Sequence, residues 1–477
     1  MSSDQKQQNS SAFDELYEEA GHFAVNTGDE TIHAKRISGK WRNIKWATAS
    51  VWLAFFLGPY LRLGDRQAVL FDIPDRKFHI FHITVLPQDF WMLSLVLLFF
   101  AILLAVVTAT IGRAYCGYFC FQTVWTDIYT WIEDMLEGSP VKRRKLENAP
   151  WSIKKIGIKA TKHFLWMVIA FLTGVSFVAW FTDAYQLWAD LLTLQLPWTG
   201  SAMITIILFF LGTYVLAGIM REQVCFWLCP YARLQGVMVD QTTVVPTYDF
   251  KRGEPRGRRK KGSDAAAQGD CVDCNQCIAV CPTGVDIRYG QQEGCIMCGL
   301  CIDACDAVME KVDLPTGLVR YASLDELEGR HNPPIFKRPR VLIYTAILTI
   351  ALIGIGLGLS SLESVELKVL HSRLPLFVVQ SDGSIRNKYT LKVLNKTTTE
   401  MKVKISATGH ENLQLSGAEG EFKVSPGSVY PKTVFVSVPK KDLKAETTPV
   451  VFHVEGVDAE NMQFKHSRES VFIGPAR

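Results

Sequence analysis

Five long stretches of the chain carry no Asp, Glu, Lys or Arg: Trp46–Leu61, Phe90–Gly112, His163–Thr182, Leu191–Met220 and Val341–Leu362. A helix rises ~1.5 Å per residue, so about 20 apolar residues cross a hydrocarbon core of ~30 Å. Four of the stretches are long enough on their face. The first is short and spans only if Lys45 and Arg62 snorkel outward at its ends. From Glu363 onward the pattern changes to short runs of β-formers. These are Ser364–Leu370, Leu374–Gln380, Tyr389–Val393, Met401–Ser406, Glu421–Val424, Lys432–Val438, Val450–Val454 and Gln463–Ile473. Turn residues punctuate them at Ser381-Asp-Gly383, Asn395-Lys396, Ser416-Gly417, Ser425-Pro-Gly427 and Gly456. Short strands at this spacing predict an immunoglobulin-like sandwich, here without cysteine and so without a core disulfide.

Basic residues set the expected orientation. Lys35, Arg36, Lys40, Arg42 and Lys45 precede the first stretch. Arg113 and the Lys142–Lys162 cluster follow the second, and Lys337, Arg338 and Arg340 precede the last. The connection 183–190 has two Asp and no basic residue. The loop 62–89, with Arg62, Arg66, Arg76 and Lys77, runs against the trend. The balance predicts five spans with the N-terminus inside and the C-terminus outside. The first 40-odd residues are too polar for a secretory signal, so the N-terminus is expected to be retained. The net charge of +4 decides little, but Lys251, Arg252, Arg256, Arg258, Arg259, Lys260 and Lys261 form a dense basic run. An anchor against anionic membrane lipid explains it. No aromatic platform accompanies it, which argues against nucleic acid.

Residues 271–305 read C-x2-C-x2-C-x3-C-P, then the same cysteine spacing again. This is the spacing of a bacterial two-cluster ferredoxin, in which the fourth cysteine of each run crosses to the other cluster. Cys271, Cys274, Cys277 and Cys305 are therefore expected at one [4Fe–4S] centre. Cys295, Cys298, Cys301 and Cys281 are expected at its twin. Zinc, which takes four ligands as separated pairs, fits poorly. Asp306 stands where the first run has Pro282.

The other four of the twelve cysteines form two C-x3-C pairs, Cys116/Cys120 and Cys225/Cys229, repeated at a period of 109 residues. On a helix, positions i and i+4 share a face, so each pair could present two soft ligands to one ion. Arg113 and Arg221 stand close enough in sequence to lower the thiol pKa or to anchor at the interface. Buried packing and a dithiol–disulfide relay are the competing readings. His79 and His82, on the loop before the second stretch, are a weaker metal candidate. There is no C-x-x-C-H haem attachment site and no glycine-rich dinucleotide fingerprint.

These features together resemble the cytochrome c oxidase accessory protein family of the CcoG/FixG/RdxA type, nearly end to end. The resemblance rests on Leu86-Pro-Gln-Asp-Phe90, the two C-x3-C repeats, the double ferredoxin motif and Arg386-Asn-Lys-Tyr-Thr-Leu-Lys392. Phe121 follows Cys120 where Pro230 follows Cys229, a departure that puts a proline-dependent role at the first pair in doubt. The resemblance implies a multi-pass protein of the bacterial cytoplasmic (inner) membrane, with an enzymatic role as a cupric reductase. It would reduce Cu(II) to Cu(I) for a cbb(3)-type oxidase, with copper at Cys116, Cys120, Cys225 and Cys229. Its partners would be a cytoplasmic electron donor, copper chaperones or oxidase assembly factors, and a homodimer is compatible. A quinol-linked electron-transfer subunit and a non-catalytic copper scaffold remain the alternatives. The expected architecture is a multi-domain membrane protein. It comprises a polar cytoplasmic arm (1–44), spans one to four (45–240), a basic linker (241–264), a two-cluster ferredoxin domain (265–325), span five (341–362) and a periplasmic sandwich (363–477).

Overall fold

The computed structural model describes residues 32–475 except 65, 75, 82, 86–89, 258–267, 331–332, 361–364, 398–399, 411, 444 and 459–462. Its chain contacts divide it into two units. One comprises residues 1–58, 95–179 and 184–353, the other 59–94, 180–183 and 354–477.

Among the described residues, four helices are long and apolar enough to cross a membrane, lying within Trp91–Ile111, Ile153–Val178, Ser201–Met220 and Pro339–Gly358. They match the second to fifth apolar stretches, although the fourth begins its helix only at Ser201, after a separate helix Ala184–Leu192. The first stretch is different. It is a chain of short pieces: α-helices Lys40–Ala49 and Leu53–Leu57 alternating with 3-10 turns Ser50–Trp52 and Gly58–Tyr60. Lys45 does not snorkel; it is buried and paired with Asp127 at 3.4 Å.

In the first unit, the amphipathic helix Phe121–Glu137 packs against Ile153–Val178 and the π-helical segment Tyr214–Met220. Trp125, Tyr129, Ile132, Trp166 and Ala217 form the core. Tyr129 and Trp166 stack at 5.0 Å, and Tyr129 Oη donates to the Trp166 carbonyl at 3.0 Å, which satisfies the polar end of a buried ring. A buried charge group lies beside this core. Glu133 meets Arg143, Lys162 and Arg221, and Lys162 also meets Glu137.

The ferredoxin insert is closed by an antiparallel strand pair, Val245–Tyr248 with Val319–Ala322. The domain therefore starts near Val245, earlier than the sequence boundary of 265. The supposed linker is partly structural: Lys251 donates to the Leu327 carbonyl, Arg252 pairs with Asp270 at 2.6 Å, and Arg256 lies over the Tyr289 ring. Arg258, Arg259, Lys260 and Lys261 lie outside the described residues.

The arm joins this domain. Lys35 N donates to the Ala279 carbonyl at 2.7 Å. The helix Lys40–Ala49 starts after Gly39, which has no side chain to cap it. The Asp303 carboxylate caps it instead, accepting from Trp41 N at 3.1 Å and Arg42 N at 2.9 Å. A Cβ at residue 39 would collide with Asp303, so the approach requires glycine.

The second unit holds a small antiparallel sheet, Val69–Asp72, Lys77–Ile80 and Ile83–Val85, and the C-terminal sandwich. One sandwich sheet has the order Gln414–Ser416, Ser428–Pro439, Ser384–Asn395, Val365–His371, with Val378–Val379 also on Ser384–Asn395. The other has the order Phe422–Val424, Met401–Thr408, Thr447–Asp458, Gln463–Ile473. Alternate residues Val403, Ile405, Val434, Val436, Phe452 and Val454 face inward, as a two-residue period demands. Buried Tyr389 places its hydroxyl on the Val471 carbonyl at 2.9 Å. The predicted run Leu374–Gln380 keeps only two strand residues, while Gln414–Ser416 is a strand that the pattern missed.

Candidate iron–sulfur and dithiol site

The two ferredoxin loops repeat one backbone form. Asp273 and Asn275 flank Cys274 with φ of 48° and 54°; Met297 and Gly299 flank Cys298 with φ of 55° and 71°. Left-handed residues on both sides of the middle cysteine curl each loop around a common centre. Only one of the four is glycine, so the fold holds three residues in a costly region.

The cysteines meet in crossed sets. Cys271, Cys274, Cys277 and Cys305 line one cavity of about 360 Å³, together with Tyr248, Arg288 and Met309. Cys281, Cys295, Cys298 and Cys301 line a second, of about 350 Å³, with Pro246, Val285, Ile287 and Leu300. Each cavity receives three cysteines from one run and the fourth from the other. Four thiols around an apolar pocket fit a cubane cluster in donor chemistry and in number. Burial pushes the Cys277, Cys295 and Cys305 thiols up to about 12, so the bound metal itself must supply the stabilisation of their thiolates. Cys274 alone among the eight is exposed. Asp306, in place of the proline, accepts from Gly317 N at 2.8 Å.

The C-x3-C pairs do not ride on one helical face. Cys116 lies in the short helix Ala114–Tyr118, and Cys120 is the N-cap of Phe121–Glu137. Cys225 lies in a π-helical turn, Val224–Leu228, and Cys229 is the N-cap of Pro230–Met238. Each pair therefore straddles a break, with its second cysteine heading the next helix. Phe121 occupies the same first-turn position as Pro230, so proline is not needed to start that helix.

The breaks bring the pairs together. Cys116 Sγ donates to Gln235 Oε1 at 3.0 Å, and Gln235 Nε2 reaches Thr108 at 3.2 Å and Tyr231 at 2.7 Å. Gln122 Nε2 bonds the carbonyls of Leu216 at 2.7 Å and Arg221 at 3.0 Å. Cys225 interacts electrostatically with Cys116, Cys120 and Cys229. Cys225 is thus within electrostatic range of the other three thiols, and Cys116 packs in one cluster with Ile296, Cys298 and Leu300 of the second ferredoxin loop. Gln235, fully buried, is a site residue that the sequence reading missed, and no local pattern marks it.

The arginine expectation needs correction. Burial outweighs Arg113, leaving the Cys116 thiol up at about 11, and burial with the neighbouring thiols pushes Cys225 to about 12. Arg221 turns away to Glu133 and the Gly218 carbonyl. A larger cavity of about 630 Å³ opens beside Cys225, lined in part by Arg36, Arg42, Lys45, Asp127 and Glu222. Elsewhere, His79 Nδ1 lies against the Arg66 guanidinium and Thr84, a poor place for a cation, and burial lowers it to about 4. His82 lies outside the described residues. Among the described residues, no three His, Cys, Asp or Glu side chains are placed to hold a single metal ion.

Family models match three segments: a 4Fe-4S binding domain at residues 93–146, a 4Fe-4S dicluster domain at 220–324, and the Ig-like fold at the C-terminus of FixG, a putative oxidoreductase, at 355–475. The nitrogen fixation protein FixG of Rhizobium meliloti is 39% identical over 456 residues, covering 86% of either chain. This chain belongs to the FixG/RdxA family. Protein RdxA of Cereibacter sphaeroides is 38% identical over 400 residues, covering 81% of this chain and 84% of its own. A solved FixG-related protein from Vibrio parahaemolyticus is 25% identical over 24% of this chain and 97% of its own, with a TM-score of 0.21. As a FixG/RdxA-type polyferredoxin-like protein, the chain is an iron–sulfur electron-transfer protein with apolar helices suited to membrane anchoring.

Proposed function

We propose that this protein reduces Cu(II) to Cu(I) at its C-x3-C thiols, serving assembly of the copper centre of a cbb(3)-type cytochrome c oxidase. The observation carrying this reading is that Cys116 packs beside the Cys298 loop while Cys225 lies within electrostatic range of Cys116, Cys120 and Cys229. A bound [4Fe–4S] cluster supplies reversible one-electron transfer, and Cu(II) takes one electron. The chain's own residues do the rest. Cys271, Cys274, Cys277 and Cys305 hold one cluster; Cys281, Cys295, Cys298 and Cys301 hold the other. A pair of thiolates selects Cu(I) over Cu(II) and so stabilises the product.

In this reading the basic loops hold the N-terminus and the ferredoxin domain in the cytoplasm, with the sandwich in the periplasm. The short helical pieces of 46–61 complete a fifth crossing. The electron donor is cytoplasmic.

A second reading gives the four C-x3-C thiols to a further iron–sulfur cluster, favoured by the 4Fe-4S match at 93–146. Replacing Cys225 and Cys229 by Ser separates the two. The copper reading expects unchanged iron and lost Cu(II) reduction; the cluster reading expects iron to fall by about four per chain.

A further inference from the structure

One buried arginine from outside the ferredoxin domain reaches the second ferredoxin loop, a second lies within electrostatic range of it, and neither is fully satisfied. Arg113, 4% exposed, donates its backbone N–H to Met297 Sδ at 2.8 Å and its guanidinium to the Glu293 carbonyl. It has no carboxylate partner among the described residues, and its Nε is buried without a hydrogen bond. Arg42, 7% exposed, also keeps a buried Nε without a partner. Arg42, Arg36 and Lys45 all share one carboxylate, Asp127. Four cations thus lie on this side of the loop, against the carboxylates of Asp127 and of Asp303, which accepts from the Arg42 N–H. Arg113 is within electrostatic range of Cys295, and Lys45 and Arg42 are within range of Cys298.

The first loop has the opposite balance. Its cation, Arg288, is bound by Asp286 at 2.7 Å and Asp273 at 2.6 Å. Asp286 also acts on Cys277, and Asp306 on Cys305. One cation there faces three carboxylates.

A thiolate-bound cluster is anionic and gains a further negative charge on reduction, so nearby cations favour the reduced form and carboxylates oppose it. Burial acts the other way: Cys298 is buried and Cys274 exposed, which alone would make the second centre the harder to reduce. Arg113, buried without a carboxylate, and Arg42 and Lys45, which share Asp127 with Arg36, act through a low dielectric against that penalty. We infer that Arg113, Arg42 and Lys45 raise the reduction potential of the Cys281/Cys295/Cys298/Cys301 centre above that of its twin, and so direct electrons toward the C-x3-C thiols. The inference rests on the ligand assignment above. These residues are tuning groups, touching neither copper nor iron.

The test is an EPR-monitored potentiometric titration of the full-length protein, performed on samples whose iron and sulfide have been counted. Arg113→Gln and Lys45→Gln should each shift the higher-potential step down. The reduction equilibrium should weaken about tenfold, near 59 mV for one electron. Arg113→Lys should preserve that step, because it keeps the charge. Asp306→Asn should raise the lower-potential step instead. If Arg113→Gln loses iron, Lys45→Gln decides. Unmoved midpoints, or a shift of the lower step by either cation variant, overturn the tuning. A wild-type iron count of one cluster overturns the ligand assignment itself.

Discussion

Gly117, inside the first C-x3-C pair, runs directly against the backbone of Cys298. A Cβ at residue 117 would stand 2.7 Å from the Ile296 carbonyl oxygen and 3.1 Å from Cys298 Cα. The neighbouring Tyr118 hydroxyl donates to the Cys298 carbonyl at 3.1 Å. The dithiol region and a cluster loop are thus built into one another.

Gly117→Ala should push the two backbones apart, at a cost of about 1–3 kcal/mol for overpacking. Cluster absorbance should be lost at lower temperature than in wild type, and Cu(II) reduction should slow. Unchanged thermal loss and turnover would mean that the contact is incidental.

Crossed ligation makes an unusual demand of Cys281. Cys281→Ser should damage the cluster held by Cys295, Cys298 and Cys301, leaving the one beside its own sequence neighbours intact. Iron should fall from about eight per chain toward four. Mössbauer or EPR spectra that lose the Cys271/Cys274/Cys277 signal instead would contradict the crossing.

The ferredoxin motif was legible because cluster chemistry dictates cysteine spacing directly. The sandwich was legible because its strands alternate cleanly, as in Met401–Thr408. The Lys45 end of the first apolar stretch misled because local composition hides a distant partner. Lys45 looked like a membrane-edge lysine, yet it turns inward to Asp127. Arg221 similarly answers Glu133 instead of its own cysteines. The helix break within each C-x3-C pair was signalled at Pro230 but had no counterpart at Phe121. Long-range ion pairs and backbone breaks leave little trace in periodicity.

Asp127 should be a strong point of assembly. Burial pushes its carboxyl up, but Lys45, Arg42 and Arg36 hold it down at about 2. Asp127→Asn would strand three cations and should cost about 3 kcal/mol, the low end for breaking a buried pair. The arm should then loosen, read as faster tryptic cleavage at Lys35 and Arg36, with Asp127→Glu largely protected. Equal cleavage in all three proteins would refute the anchoring role.

The dithiol site should bind copper more tightly as pH rises. Burial raises Cys116 to about 11 and Cys225 to about 12, so both are protonated near neutrality. Cu(I) must displace those protons, and each one displaced gives about a tenfold gain per pH unit below the thiol pKa. Competition with a Cu(I) chelator between about pH 6 and about pH 8 reads this slope. A flat profile would exclude these thiols as the ligands.

The most direct measurement is a single-turnover reaction of the full-length protein. Anaerobically reduced protein is mixed with Cu(II) and a Cu(I)-specific chelator while cluster absorbance is followed. The proposed function predicts that cluster reoxidation and Cu(I) appearance keep pace, one Cu(I) per electron lost, and that Cys225→Ser/Cys229→Ser abolishes both with its iron intact. Clusters that stay reduced in the presence of Cu(II), or a double variant that turns over like wild type, would contradict it.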